Sequence, residues 1–203
     1  KIGESISDLI DDLCNNEKKV YPNILNNNPS LSLLFKENIS LISNFIHIHY
    51  KENIFSKNGW SSDDFIDLLN SFKKLNYKII FTSDLGNFSY HNKFLSTFSN
   101  LNFDSKVSNL NTKSKIHYFH NINTQDLFKL IDLSSVVIAP HGAMSVLASY
   151  LNKAVIDIFD TNVKSNSFHE FKPQNFNYKF LILTNDKNKV KNKILNYLIK
   201  FKI

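Results

Sequence analysis

Residues 136–145 read Val136-Val137-Ile138-Ala139-Pro140-His141-Gly142-Ala143-Met144-Ser145, and a helical run to about Asn152 leads into Ala154-Val155-Ile156-Asp157-Ile158-Phe159. Val136–Ala139 is short and wholly apolar, as expected of a central strand buried on both faces. The helix and second apolar run that follow read as strand, turn, helix, strand. Two strands joined in this way lie parallel, with a right-handed crossover. This unit decides the fold, because the rest of the chain repeats it.

Upstream, Phe45-Ile46-His47-Ile48-His49-Tyr50 is a β-branched run and reads as the first strand. Ser61-Ser62-Asp63-Asp64 supplies an N-cap and an acidic first turn to a helix carrying Phe65, Ile66, Leu68, Leu69 and Phe72. Tyr77–Thr82 is the second strand and 87–100 is expected to be helical, while 101–114 is polar and irregular. Lys115–Phe119 is the third strand, and Thr124 is expected to cap a helix with Leu127, Phe128, Leu130 and Ile131. Downstream, Phe180–Leu183 is the sixth strand, and Asn185 and Asp186 open a last amphipathic helix with Val190, Ile194, Leu195, Leu198 and Ile199.

The expected fold is therefore α/β: a Rossmann-like, doubly wound parallel sheet of six strands in the order 3-2-1-4-5-6, with helices on both faces. It occupies residues 45–203. Residues 1–44 hold one short helical pattern (Ile6, Leu9, Ile10, Leu13) and then polar turn signals at Tyr21-Pro22 and Asn26–Pro29. They lack the apolar residues for a core and read as a helical or irregular linker.

Composition narrows the partners. The chain has 203 residues, 42% of them hydrophobic, and a formal charge of +6. All 24 basic residues are lysine and they are scattered, whereas sequence-specific nucleic-acid recognition favours arginine forks. Nucleic acid is therefore not an expected partner. Cys14 is the single cysteine, which fits a reducing compartment. No apolar run approaches the roughly 18 residues that span a bilayer, and the first residues do not read as a signal peptide. The expected location is cytoplasmic, at the inner face of the membrane if the substrate is lipid-linked.

In a sheet of this order ligands bind beyond the carboxyl ends of the strands, where the order reverses between the first and fourth. The turn after the fourth strand and the 51–61 loop both fall there. Gly142 lets a backbone approach a ligand, and the following helix offers unpaired N–H groups and its positive end. This makes His141, Gly142, Ala143, Met144 and Ser145 the candidate phosphate site, with His141 as donor or proton-transfer group. A strand-to-helix turn shaped by Gly142 alone is the plainer reading. Lys57, beside Gly59 and just before a helix, could reach a diphosphate, and Trp60 would anchor its loop by packing. Asp84 could hold ribose hydroxyls or simply form a turn with Gly86. Tyr118, Phe119 and His120 could line a base pocket. His47 and His49 share one sheet face and read as packed, and no metal-ligand spacing is present. The chain lacks GxGxxG and also GxxxxGK followed by Ser or Thr, so no dinucleotide cofactor or P-loop chemistry is expected.

Four stretches carry a resemblance: Lys57-Asn58-Gly59-Trp60 before a helix, Ile79–Ser83, Asn123–Phe128 and Val136–Phe159. Together they resemble, over about 45–200, the C-terminal donor-binding half of GT-B glycosyltransferases, and in that order the heptosyltransferase family (glycosyltransferase family nine). The resemblance implies that Lys57 contacts donor phosphate and that Pro140–Ser145 cradles a nucleotide diphosphate. That family opens the turn with Asp and places a His three to four residues into the helix, where this chain has Pro140 and Ser145. Its His141-Gly142-Ala143 looks instead like glycosyltransferase family sixty-one. Residues 1–44 are similar to the interdomain stretch of such enzymes, which implies a separate acceptor domain that also supplies the catalytic base. The implied activity is sugar transfer from a nucleotide-diphosphate sugar to lipopolysaccharide or another surface glycan, without a cofactor. A non-catalytic nucleotide-sugar-binding domain, or another sugar-nucleotide enzyme of this architecture such as an epimerase or pyruvyl transferase, remain the alternatives.

Overall fold

The structure is a computed structural model that describes residues 45–84, 89–103, 107–109, 111, 113–161 and 177–201. The expected linker over 1–44, Cys14 and Gly86 lie outside the described residues.

Five apolar or β-branched runs form strands within two residues of where the sequence puts them: β1 (Phe45–Tyr50), β2 (Lys78–Ser83), β5 (Ile116–His120), β6 (Val136–Pro140) and β7 (Ala154–Phe159). The sixth, β8 (Tyr178–Ile182), begins two residues early. Every position of β6 is buried, as a strand covered on both faces requires. The helices are α1 (Glu52–Lys57), α2 (Ser62–Ser71), α3 (His91–Thr97), α4 (Thr124–Leu133), α5 (Ala143–Tyr150) and α6 (Lys187–Lys200). Ser61 caps α2 through a reciprocal box with Asp64. At α4 the cap is Asn123 rather than Thr124: its side chain accepts from the Asp126 N–H at 2.9 Å.

The sheet order is β4-β3-β5-β2-β1-β6-β7-β8. The six expected strands stand within it in their expected order, and two more strands extend it beyond β5. These are β3 (Ser99–Asn102) and β4 (Val107–Asn109), in a region expected to be helical and then irregular. The helix stops at Thr97 because Phe98 is extended, and Asn100 Nδ2 donates to the carbonyls of Leu95 and Phe98, closing the chain into a new strand. β3 then pairs parallel to β5, while β4 is antiparallel to β3, the one antiparallel pairing among the described residues.

Alternation along β1 divides the core. Ile46, Ile48 and Tyr50 face α2, α3 and α6, in a cluster with Phe65, Phe94 and Ile194. Phe45 belongs to the opposite face with Ile80, Leu101, Phe119 and Leu130. There α5 covers β6 and β7 through Val137, Ala139, Ala148 and Val155. Tyr50 is the hub of the first face, with the rings of Phe55, Phe65, Tyr90 and Phe94 at 4.5–5.4 Å. Such ring pairs add roughly 0.5–1.5 kcal/mol each beyond area burial, so they fix α1 firmly over the end of β1. Residues 52–57, expected to be loop, are helical. Trp60 anchors that segment as expected, donating from Nε1 to the Thr184 carbonyl at 2.7 Å.

Candidate functional site

β1 leads through α1 and α2 to β2 on one side, while β6 leads through α5 to β7 on the other. The order reverses between β1 and β6, so the crevice lies beyond Tyr50 and Pro140. His141-Gly142 forms the β6 side. Gly142 has φ +153 and ψ −160, a region nearly closed to other residues, and no atom lies within 4 Å of where its Cβ would stand. The backbone is thus open at the strand end. The His141 N–H donates to the Ile158 carbonyl at 2.8 Å, which ties the turn to β7.

Ser145 has a structural task here. It is fully buried; its Oγ accepts from the Gly142 N–H at 3.2 Å and donates to the Gly142 carbonyl at 3.0 Å. Ser145 therefore closes the turn, and its hydroxyl is not presented to a ligand. The first helical bond of α5 runs from Val146 N–H to the Gly142 carbonyl. The N–H groups of Ala143, Met144 and Ser145 precede it and, as at any helix start, have no carbonyl within the helix. Ala143 is exposed and Met144 half-buried against the α5 face.

His141 is tied to two residues that the sequence reading did not select. Its Nδ1 lies 2.7 Å from Asp157 Oδ2, and the Tyr178 hydroxyl donates to the same oxygen at 2.6 Å. Asp157 is 1% exposed and Tyr178 8%. The His141 ring stacks on Phe159 with centroids 4.3 Å apart. Burial, and then the bond to Asp157, push the Tyr178 hydroxyl far above its ordinary range, so it stays a donor. The available signal was alternation. Ala139 pairs with Asp157, and Asp157 with Phe180, so the inward face of β7 carries a carboxylate beside the turn.

On the β1 side, an open cleft of about 490 Å³ is lined by Lys51, Glu52, Asn53, Ser56 and Asp84. Lys51, which the sequence reading passed over, follows β1 and lines this cleft. Lys57 does not line it: it stands exposed in the last turn of α1, the helix into which residues 52–57 coil. Asp84 does reach the cleft, and its Oδ1 lies 3.5 Å from His49 Nε2. The hydroxyl of Thr82 lies 2.9 Å from His47 Nε2 and 3.0 Å from His49 Nδ1, and with a single proton it donates to no more than one of the two rings. His47 is packed as expected, and burial pushes its imidazole down to about 3.

The base-pocket residues divide. Phe119 is fully buried with Phe45, Ile80 and Leu130 and packs the core, because it points to the α4 face of β5. His120 ends β5 with 4% exposure, its ring 4.8 Å from His91 and 5.1 Å from Tyr118. Tyr118 is itself held by Ser83 and His91. Phe119 is therefore not brought to the crevice, and His120 stands almost buried at the carboxyl end of β5, beside His91 and Tyr118. Among the described residues no three His, Cys, Asp or Glu side chains gather as metal ligands.

No family model and no curated protein matches this sequence. Solved structures do match its fold. One is the ADP-heptose lps heptosyltransferase II of E. coli, at TM-score 0.52 and 13% identity, covering 86% of this chain and 54% of that one. Another is the E. coli heptosyltransferase WaaC with ADP, at TM-score 0.53 and 10% identity, covering 80% of this chain and 47% of the other. A protein from Listeria monocytogenes assigned as a UDP-N-acetylglucosamine 2-epimerase matches at TM-score 0.54 and 12% identity, covering 88% and 42%. The chain spans about half the length of these proteins. At such identities the likeness concerns architecture: the chain has a GT-B-like, heptosyltransferase-like fold.

Proposed function

We propose that this chain is the donor-binding half of a glycosyltransferase that moves a sugar from a nucleotide-diphosphate sugar to a lipopolysaccharide or similar surface-glycan acceptor. The observation that carries this reading is the turn after β6. There an open glycine at φ +153, the unpaired N–H groups at the start of α5 and a carboxylate-held imidazole meet at the point where the sheet order reverses. A diphosphate seated against Gly142 receives the N–H groups of Ala143 and Met144 and a hydrogen bond from His141, while Lys51 supplies a point charge from across the crevice. Charge grows on the leaving diphosphate as the sugar–phosphate bond breaks, and these groups stabilise it. Asp84 accepts from the ribose hydroxyls. The acceptor and its general base belong to a second domain, as the resemblance implies. Work on a lipid-linked acceptor would place the protein at the cytoplasmic face of a membrane; no helix among the described residues is long and apolar enough to cross one.

Calorimetric titration with ADP, UDP, GDP and CDP tests the site. One nucleotide is expected to bind, and to bind more weakly to His141→Ala and Lys51→Ala. Binding of none, or binding indifferent to both substitutions, refutes it. A second reading, a sugar-nucleotide epimerase, draws on the His141–Asp157 pair as a proton-transfer group within the chain and on the fold shared with the assigned epimerase. Product analysis with a donor panel separates the two, since transfer consumes an acceptor and epimerisation does not.

A further inference from the structure

Asp157 Oδ2 has two close neighbours, His141 Nδ1 at 2.7 Å and the Tyr178 hydroxyl at 2.6 Å, which meet it where the turn after β6 lies beside β7 and β8. Tyr178 keeps its proton and donates it. A carboxylate only accepts, so the proton shared with the imidazole resides on Nδ1. The other carboxylate oxygen, Oδ1, is buried with no hydrogen-bond partner among the described residues. A buried carboxylate left half-satisfied costs stability, and the arrangement gains its return at the ring, whose tautomer it fixes.

We propose that Asp157, braced by Tyr178, is a positioning residue that holds His141 as the Nδ1–H tautomer, so that anion binding at the β6 turn is coupled to uptake of a proton. In this tautomer a neutral His141 offers Nε2 only as an acceptor. A phosphate oxygen is also an acceptor, so the two do not bond until Nε2 is protonated. The imidazolium then donates to the anion while Asp157 balances its charge. The Asp157 carboxylate from β7 touches the ring, and the Tyr178 hydroxyl from β8 acts on it through that carboxylate. Asp160 follows β7, Lys51 and Asp84 follow β1 and β2, and the first turn of α5 carries no acidic or basic side chain. The proton linkage rests on the reading of the turn as a diphosphate site, whereas the tautomer does not.

Ring-nitrogen NMR of the chain at a pH where its imidazoles are neutral, with His141→Asn to assign the signals, reads the tautomer without any ligand. The expected result is hydrogen on Nδ1 in the unmodified protein, and loss of that preference in Asp157→Leu, an apolar side chain of similar volume. An Nε2–H ring in the unmodified protein overturns the proposal, and so does a folded Asp157→Leu that keeps the Nδ1–H form. If Asp157→Leu does not fold, the unmodified ring still decides. Calorimetry in buffers of different ionisation heat, with whichever of ADP, UDP, GDP and CDP binds, reads the linkage: uptake of a proton is expected, with affinity falling by up to about tenfold per pH unit as pH rises. A nucleotide bound without proton uptake overturns the linkage. Binding of none of the four counts against the diphosphate site, and the tautomer then decides on Asp157 alone.

Discussion

Gly142 has room for a side chain and the wrong backbone for one. Nothing lies within 4 Å of its would-be Cβ, yet φ +153 is costly for any L side chain. Gly142→Ala is therefore expected to lower stability by about 1–3 kcal/mol through backbone strain alone, read as a drop in thermal midpoint, and to weaken nucleotide binding as the turn relaxes. Ser145→Ala tests the other half of the turn. It removes both hydroxyl bonds to Gly142 at a fully buried position, which is expected to cost about 1–3 kcal/mol by leaving the Gly142 N–H without its partner. The two lysines give a sharper contrast. Lys51 lines the cleft and Lys57 does not, so Lys51→Ala is expected to weaken nucleoside diphosphate binding roughly tenfold or more, with a shallower salt dependence. Lys57→Ala should leave it nearly unchanged, and the reverse ranking in a titration would return the phosphate contact to Lys57.

At the scale of elements, the β1 side of the crevice depends on how α1 is tethered. Trp60 binds the Thr184 carbonyl just beyond β8, and Asn58 links to Asp160 and Thr161 beyond β7, so three strand ends are held as one rim. Trp60→Phe keeps most of the ring packing and removes the donor. It is expected to cost about 1 kcal/mol in chemical denaturation and to raise amide exchange along 52–60 before the rest of the sheet. Equal exchange throughout would show that the tether does not act locally. The elements that were hard to foresee were those whose sequence carries little periodicity. Ser99-Asn100-Leu101-Asn102 is too short and polar to read as a strand, and it becomes one because β5 offers an unpaired edge and Leu101 a place to bury.

For the molecule as a whole, two imidazoles are locked inside the sheet. Burial pushes His47 down to about 3 and His117 to about 4, from an ordinary 6.5. Both are neutral when folded and free to take a proton when unfolded. The unfolded chain therefore binds more protons between these limits, and stability falls as pH drops from about 6.5 toward 4. Each histidine contributes a slope of up to about 1.4 kcal/mol per pH unit. Thermal melts across that range are expected to show the loss, and His47→Gln should flatten it. An unchanged slope in His47→Gln would assign the acid sensitivity elsewhere.

The sequence by itself determined the α/β class, the order of six strands and the position of the Gly142 turn. Those follow from local pattern: apolar runs, helical spacing, and the handedness of crossovers, all of which operate between neighbours in the chain. Only the tertiary structure decided which side chains share the crevice. Asp157 reaches His141, and Tyr178 reaches Asp157, because β6, β7 and β8 lie side by side in one register, contacts across 16 and 21 residues that spacing does not encode. Lys51 lines the cleft and Lys57 does not, because residues 52–57 coil into a six-residue helix that starts after the one and ends at the other. Phe119 entered the core because strand alternation points it there, and whether that face is covered depends on α4 packing from elsewhere in the chain. Side-chain direction and burial are settled by the neighbours a residue meets, and those neighbours exist only once the sheet has formed.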